Sequence, residues 1–267
     1  MRRRTKKYPR PLKILFPDYF KNDETILATH RGYGKHGPIA ENSLEAFLES
    51  TRLGFKAHEL DVRITLDLKT VLLHGPRLEQ TTSGVGRVEK KTWAYLKNLD
   101  WGNYINNKKR TVKPLQLPEY LKEFRNKVFT NIEIKHDWFV FNHKLENEIM
   151  KVCTESRFKG NYLYSSFNLW SLRYLRKVFP EAAIGILIGG GPFTLLKIAF
   201  GRMFVKPDTI HLPSYLATKK RIQKYKNSGY GILVWGINTQ EQYEQMKSYG
   251  VNIIVTDNME LCNQTGE

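Results

Sequence analysis

Short apolar or alternating runs recur along the chain, separated by stretches with helical spacing. Nine of them read as strands: Ile26 to His30, His58 to Thr65, Val71 to His74, Val128 to Ile134, Asn161 to Ser165, Ala183 to Ile188, Thr209 to Leu212, Gly231 to Trp235 and Asn252 to Thr256. Between them Ser43 to Leu53, Leu117 to Asn126, Phe139 to Glu155, Leu169 to Phe179, Leu216 to Lys226 and Gln240 to Tyr249 read as amphipathic helices, several ending near Gly54, Gly160, Gly229 or Gly250. Strand, helix, strand in repetition means parallel β/α units. Nine runs for eight places make 58 to 65 and 71 to 74 a hairpin or accessory pair.

Two closures fit this pattern, an open doubly wound sheet and an eight-stranded barrel. The open sheet announces its nucleotide site with a glycine-rich first turn, and His30-Arg31-Gly32-Tyr33-Gly34 lacks the G-x-G-x-x-G order. The expected fold is therefore a TIM (β/α)8 barrel, a single domain over residues 26–262 with a short accessory insertion, preceded by a basic N-terminal extension over 1–25. In such a barrel chemistry gathers at the C-terminal strand ends, where His30, Glu59, Asp61, His74, Glu133 and Trp235 fall or nearly so.

Composition sharpens this only in part. The 267 residues are 41% hydrophobic, enough for one large core, and 43 Lys and Arg against 26 Asp and Glu give a formal charge of +17. Such a surface attracts polyanions, anionic membranes or phosphorylated substrates. No nucleic-acid-reading motif accompanies the charge, so nucleic acid is not an expected partner. Cys153 and Cys262 have neither metal-ligand nor disulfide-framework spacing, which points to a reduced, cytoplasmic compartment. Arg2, Arg3, Arg4, Lys6, Lys7, Arg10 and Lys13 precede an apolar stretch too short for a signal-peptide core, and no run is long enough to span a bilayer.

Glu59 and Asp61 are two apart on a strand and point the same way, so they repel unless a cation or proton lies between them. Oxygen ligands suit a hard divalent ion such as Mg²⁺ or Ca²⁺, and Glu133, which shares its face with Lys135, is the third ligand candidate. The bland alternative is ion pairing with Lys and Arg on the rim. His30 and His74 end separate apolar runs beside these acids, and two imidazoles can divide proton removal and donation near neutral pH. Arg31 can hold a phosphoryl oxygen through its fork and Lys135 can add a point charge; either can equally be a counter-ion of the carboxylates.

The ordered series His30-Arg31-Gly32, Glu41-Asn42-Ser43 with Ala46-Phe47, Glu59-Leu60-Asp61-Val62 with Thr65 and Asp67, then Val71 to His74, resembles the glycerophosphodiester phosphodiesterase family. Leu78, Thr81-Thr82, Gly84, Gly86, Val88, Leu99-Asp100, Glu133-Ile134-Lys135, Trp235, Asn238, Gly250 and Thr256-Asp257-Asn258 extend the likeness over about residues 26 to 260. The resemblance implies a barrel with Ca²⁺ or Mg²⁺ on Glu59, Asp61 and Glu133. It makes His30 and His74 the acid-base pair and puts Arg31, Lys135 and Trp235 on phosphate or glycerol. The reaction implied is hydrolysis of a glycerophosphodiester to an alcohol and glycerol phosphate. Gly75 departs from the pattern, since the family usually has Asp after the second histidine. The lengthened first loop, Tyr33 to Gly37, carries His36 as a loop residue.

Residues 189–206 hold three basic residues and no acidic one. Two readings stand for them: a barrel helix with its apolar face inward, or an interfacial segment with Phe193, Leu196, Phe200 and Phe204 in lipid and Lys197 and Arg202 on headgroup phosphates. With the basic N-terminus, the second reading adds peripheral membrane contact and lysophospholipid substrates. The runner-up functions are a phosphoinositide-type phospholipase C and a catalytically impaired barrel that binds anionic headgroups.

Overall fold

The computed structural model describes residues 8–21, 24–34, 37–102, 104–105, 111–136, 142–155, 161–191 and 193–265, the last three by backbone alone. The features expected at Arg2, Arg3, Arg4, Lys6, Lys7, Lys35, His36, residues 139–141 and Gly160 lie outside these. Nine strands form: β1 (Ile26–His30), β2 (Ala57–Ile64), β3 (Thr70–Leu72), β4 (Phe129–Ile134), β5 (Tyr162–Ser166), β6 (Ala183–Leu187), β7 (Thr209–Pro213), β8 (Gly231–Trp235) and β9 (Ile253–Thr256). All but β3 are parallel and close into a ring in chain order, β1 pairing with β2 at Ala28–Ala57 and with β9 at Ala28–Val255. The eight-stranded barrel is thus observed, and the surplus ninth strand is β3, antiparallel to β2 through Val62–Leu72.

Alternation along the strands divides the core. One face packs outward under the helices, and the inward face collects Ala28, Ala57, Phe129, Leu163, Ala183, Leu233 and Ile253 in a separate cluster. That inner cluster is completed by Leu12, Phe16 and Phe20, so the described part of the N-terminal segment stoppers the floor of the barrel. Arg10 and Arg176 both reach buried Asp208, each with an Nη2 at 2.7 Å from its Oδ2, tying the segment to β7. Between β3 and the helix Leu117–Phe124, residues 76–115 carry a small core of their own with Val71 and Leu73 at its base and Leu78, Val88, Leu96 and Trp101 above. The accessory pair expected at 58–65 and 71–74 is the β2–β3 hairpin, and this small core lies beyond it.

Observed helices Leu44–Arg52, Leu117–Phe124, Leu169–Val178, Lys219–Asn227 and Gln240–Ser248 fall within three residues of expectation, and Lys144–Glu155 shares the expected end but begins five residues after Phe139, which lies outside the described residues. Ser43, Asn168, Thr218 and Thr239 cap four of them through side-chain oxygens, which explains the starts. Residues 189–206 form the helix Thr194–Val205. Among the described residues no helix is long and apolar enough to cross a membrane.

Candidate active site

The inward alternation of β2 and β4 brings Glu59, Asp61, Asn131 and Glu133 to one end of the barrel, all buried. One carboxylate oxygen from each of Glu59, Asp61 and Glu133 lies within 4.8 Å of the others. Lys135 leans back between two of them, its Nζ 3.0 Å from Asp61 Oδ1 and 2.6 Å from Glu133 Oε1. Arg31 is the second cation. Its Nη1 contacts both oxygens of Glu41 at 3.0 Å, and its Nε lies 3.1 Å from Asp61 Oδ2.

The His-Arg-Gly turn makes this possible. Arg31 adopts φ 55°, folding the chain back as β1 ends, and its backbone N–H donates to Glu59 Oε2 at 3.2 Å. Gly32 follows at φ 89°, where a Cβ would lie 2.8 Å from that of Ala46. A left-handed pair with no room for a side chain at its second position requires glycine there. Asn42, also at positive φ, donates from Nδ2 to Asp61 Oδ2 at 3.0 Å and accepts the Asp61 backbone N–H.

His30 and His74 line the same pocket, of about 390 Å³, with Arg31, Glu59, Asn131, Glu133, Lys135, Phe167, Leu187, Leu233, Trp235 and Asp257. His30 Nδ1 lies 2.7 Å from Asp257 Oδ1 and its Nε2 3.9 Å from Glu59 Oε2. His74 stands two residues beyond β3 rather than ending it, because the ladder stops at Leu72; Arg63 Nε holds its carbonyl at 2.9 Å. Trp235, closing β8, has its indole Nε1 buried with no partner among the described residues. All eight residues singled out from sequence therefore meet around one cavity or, for Asp61, directly beneath it.

Electrostatics separate the three acids. Burial, reinforced by Asp61 and Glu133, pushes the Glu59 carboxyl well above the usual range. Burial also raises Glu133, Lys135 opposing it and Asp61 adding to it. On Asp61 burial is outweighed by Lys135 and Arg31, which hold its carboxyl below the usual range. His74 is pushed down to about 3, by burial first and then by Lys135, Arg31 and His30 against the pull of Asp61. Among the described residues, Arg31 and Lys135 are the Lys and Arg side chains in direct contact with Glu41, Asp61 and Glu133, and the His30 ring lies 3.9 Å from Glu59, so acids outnumber the fixed cations around them. Among the described residues the buried Asn131 Oδ1 beside them has no hydrogen-bond partner. An all-oxygen donor set from three clustered acids fits a hard divalent cation.

Asp257, Glu41 and Asn42 were legible only as parts of the family likeness, without a role. Asp257 continues the inward series Ile253, Val255 of β9, so strand-end alternation contains its position. The vacant side chain at Gly75 has a structural counterpart: the space a Cβ would fill is taken by the carboxamide of Gln80, an exposed residue five positions on.

Fold and site together define a barrel hydrolase acting on phosphodiesters. The chain belongs to the glycerophosphoryl diester phosphodiesterase family, whose sequence profile matches residues 30–261, and with it to the phosphoric diester hydrolases. A glycerophosphodiester phosphodiesterase of Caldanaerobacter subterraneus is 30% identical over 238 residues, covering 89% of this chain and 96% of its own. Among solved structures, an Oleispira antarctica phosphodiesterase in complex with the product sn-glycerol-3-phosphate superposes with a TM-score of 0.81 at 21% identity, covering 91% and 98% of the two chains. A glycerophosphodiester phosphodiesterase of Agrobacterium tumefaciens gives 0.76 at 20%, covering 90% and 99%. At these identities the solved structures establish the shared fold.

Proposed function

We propose that this chain hydrolyses a glycerophosphodiester to an alcohol and glycerol phosphate, with Glu59, Asp61 and Glu133 holding Ca²⁺ or Mg²⁺ and His30 and His74 moving the protons. The observation that carries the reading is the meeting of both imidazoles and the buried acidic triad around one pocket. When bound, the ion supplies positive charge to the phosphoryl oxygens. His74, held neutral, takes the proton of the attacking water or of the substrate's own neighbouring hydroxyl. His30, oriented through Nδ1 by Asp257, passes a proton from Nε2 to the departing alcohol oxygen as its bond to phosphorus breaks. Lys135 and Arg31 offset charge on the phosphoryl group, and the unpartnered indole N–H of Trp235 can donate to a glycerol hydroxyl.

The apolar wall of Phe167, Leu187, Leu233 and Val255 supports acceptance of lysophospholipids as well as deacylated diesters. The same reading takes 26–262 as the catalytic unit of a cytoplasmic enzyme, peripheral at the membrane through 189–206 and the basic N-terminus. Glycerophosphodiesters and lysophospholipids assayed with Ca²⁺, Mg²⁺ and chelator test it. Metal-dependent release of glycerol phosphate, lowered about 10²- to 10⁴-fold in His30→Ala and His74→Ala, is expected. Turnover undiminished by chelator or by both substitutions would overturn it.

A further inference from the structure

The helix Thr194–Val205 is apolar nearly all round, yet only Ile198, Gly201 and Val205, spaced three and four apart, are buried. Leu195, Leu196, Phe200 and Met203 are 62%, 67%, 53% and 80% exposed, and Phe193 ahead of the helix is 71% exposed. On the neighbouring helix Leu169–Val178, Trp170 is exposed and packs its ring edge-on against Phe204, which stacks on Phe200 at 5.0 Å. Both helices begin at the strand ends that carry the pocket, and Phe167, which lines it, lies under Lys197 with Nζ 5.6 Å from the ring centroid. A contiguous apolar face of this kind, beside a pocket, marks a docking surface.

Its charge selects the partner. Residues 169–207 hold six Lys and Arg and one acid, Glu181. Arg176 is consumed by Asp208, and Arg202 packs over the rings of Tyr225 and Tyr230, at 5.7 and 4.9 Å, so it does not reach the headgroups as the sequence pattern suggested. Arg173, Lys177 and Lys206 lie around the apolar residues, Arg173 and Lys177 on the face of Trp170 by their spacing of three and seven. Apolar anchors ringed by cations suit an anionic lipid surface, where each cation near the headgroups adds attraction.

We propose that Phe193, Leu195, Leu196, Phe200 and Met203, with Trp170 and the surrounding cations, dock this face on an anionic membrane and turn the pocket toward phosphodiesters carried there. The docking is independent of the chemistry; its substrate consequence rests on the phosphodiesterase reading. Sedimentation with vesicles of one part phosphatidylglycerol to two parts phosphatidylcholine, against phosphatidylcholine alone, tests it in the full chain and in Phe193→Ser/Leu196→Ser/Phe200→Ser. The anionic vesicles should be bound at least about tenfold more tightly by the parent. The triple variant should lose about tenfold of that binding and of turnover on vesicle-held lysophospholipid, while keeping its turnover of dissolved glycerophosphocholine. Vesicle binding with neither diester cleaved would leave docking standing and sink the phosphodiesterase reading. Equal vesicle binding by parent and variant overturns docking, as does a parent that dimerises through this face in solution while the variant stays monomeric.

Discussion

His30 is held at the residue scale by a contact between positions 227 apart, its Nδ1 on Asp257. Asp257→Asn keeps the size of that partner but removes its charge and its preference for accepting from Nδ1. Its kcat on glycerophosphocholine should fall about 10- to 100-fold with KM little changed, the usual scale for losing an orienting partner; unchanged kcat would show that Asp257 does not act through His30. Gly75 yields a second test. Gln80 covers it with a flexible, exposed side chain, so Gly75→Asp can be accommodated by swinging Gln80 aside. A carboxylate beside His74 favours its charged form, so the pH dependence of kcat/KM should shift upward in Gly75→Asp but not in Gly75→Asn. Identical profiles for the two variants would refute this. Sequence exposed the departure at Gly75; only the fold shows that Gln80 fills the gap.

Elements are legible in the sequence where one face is buried, because alternation and helical spacing are local records of that face. β1 and β8 agree with expectation end to end, and the other strands shift by one or two residues at their ends. The N-terminal segment was not legible in this way. Its short helix Leu12–Leu15 carries too few residues for a period to show, and its apolar residues find their partners across the barrel floor. Phe16 and Phe20 meet Phe129 edge-on at 4.9 and 5.6 Å. Phe16→Ala should therefore cost about 3–5 kcal/mol, read as a lower urea midpoint at unchanged slope; a loss below about 1 kcal/mol would mean the floor closes without it.

Stability of the whole molecule carries a pH signature from two buried histidines outside the site. His58 lies between Ser50 Oγ at 2.9 Å and Tyr120 OH at 3.0 Å, and His211 faces Thr209 Oγ1 at 2.8 Å inside the barrel. Burial pushes both down to about 3. The unfolded chain, with ordinary imidazoles near 6.5, then binds more protons than the folded one between pH 6.5 and 3. Stability is full above the unfolded value and falls as pH drops below it. The two together should remove about 4 kcal/mol between pH 7 and pH 5, measured by urea denaturation, and His58→Gln should remove about half of that slope. The proposed ion predicts a separate gain: at a hundredfold excess over its dissociation constant it should add about 2.7 kcal/mol, and Glu133→Gln should abolish the increment.

By itself the sequence determined which residues alternate, where helices are capped, and which acids and imidazoles stand at strand ends, because these follow from neighbours a few positions apart. Ring closure decided the rest. It set Lys135 between Asp61 and Glu133, brought Asp257 to His30, laid Gln80 over Gly75 and left the face of Thr194–Val205 bare. Distances between groups far apart in the chain are fixed by how eight strands meet around a common core, and no local period records them.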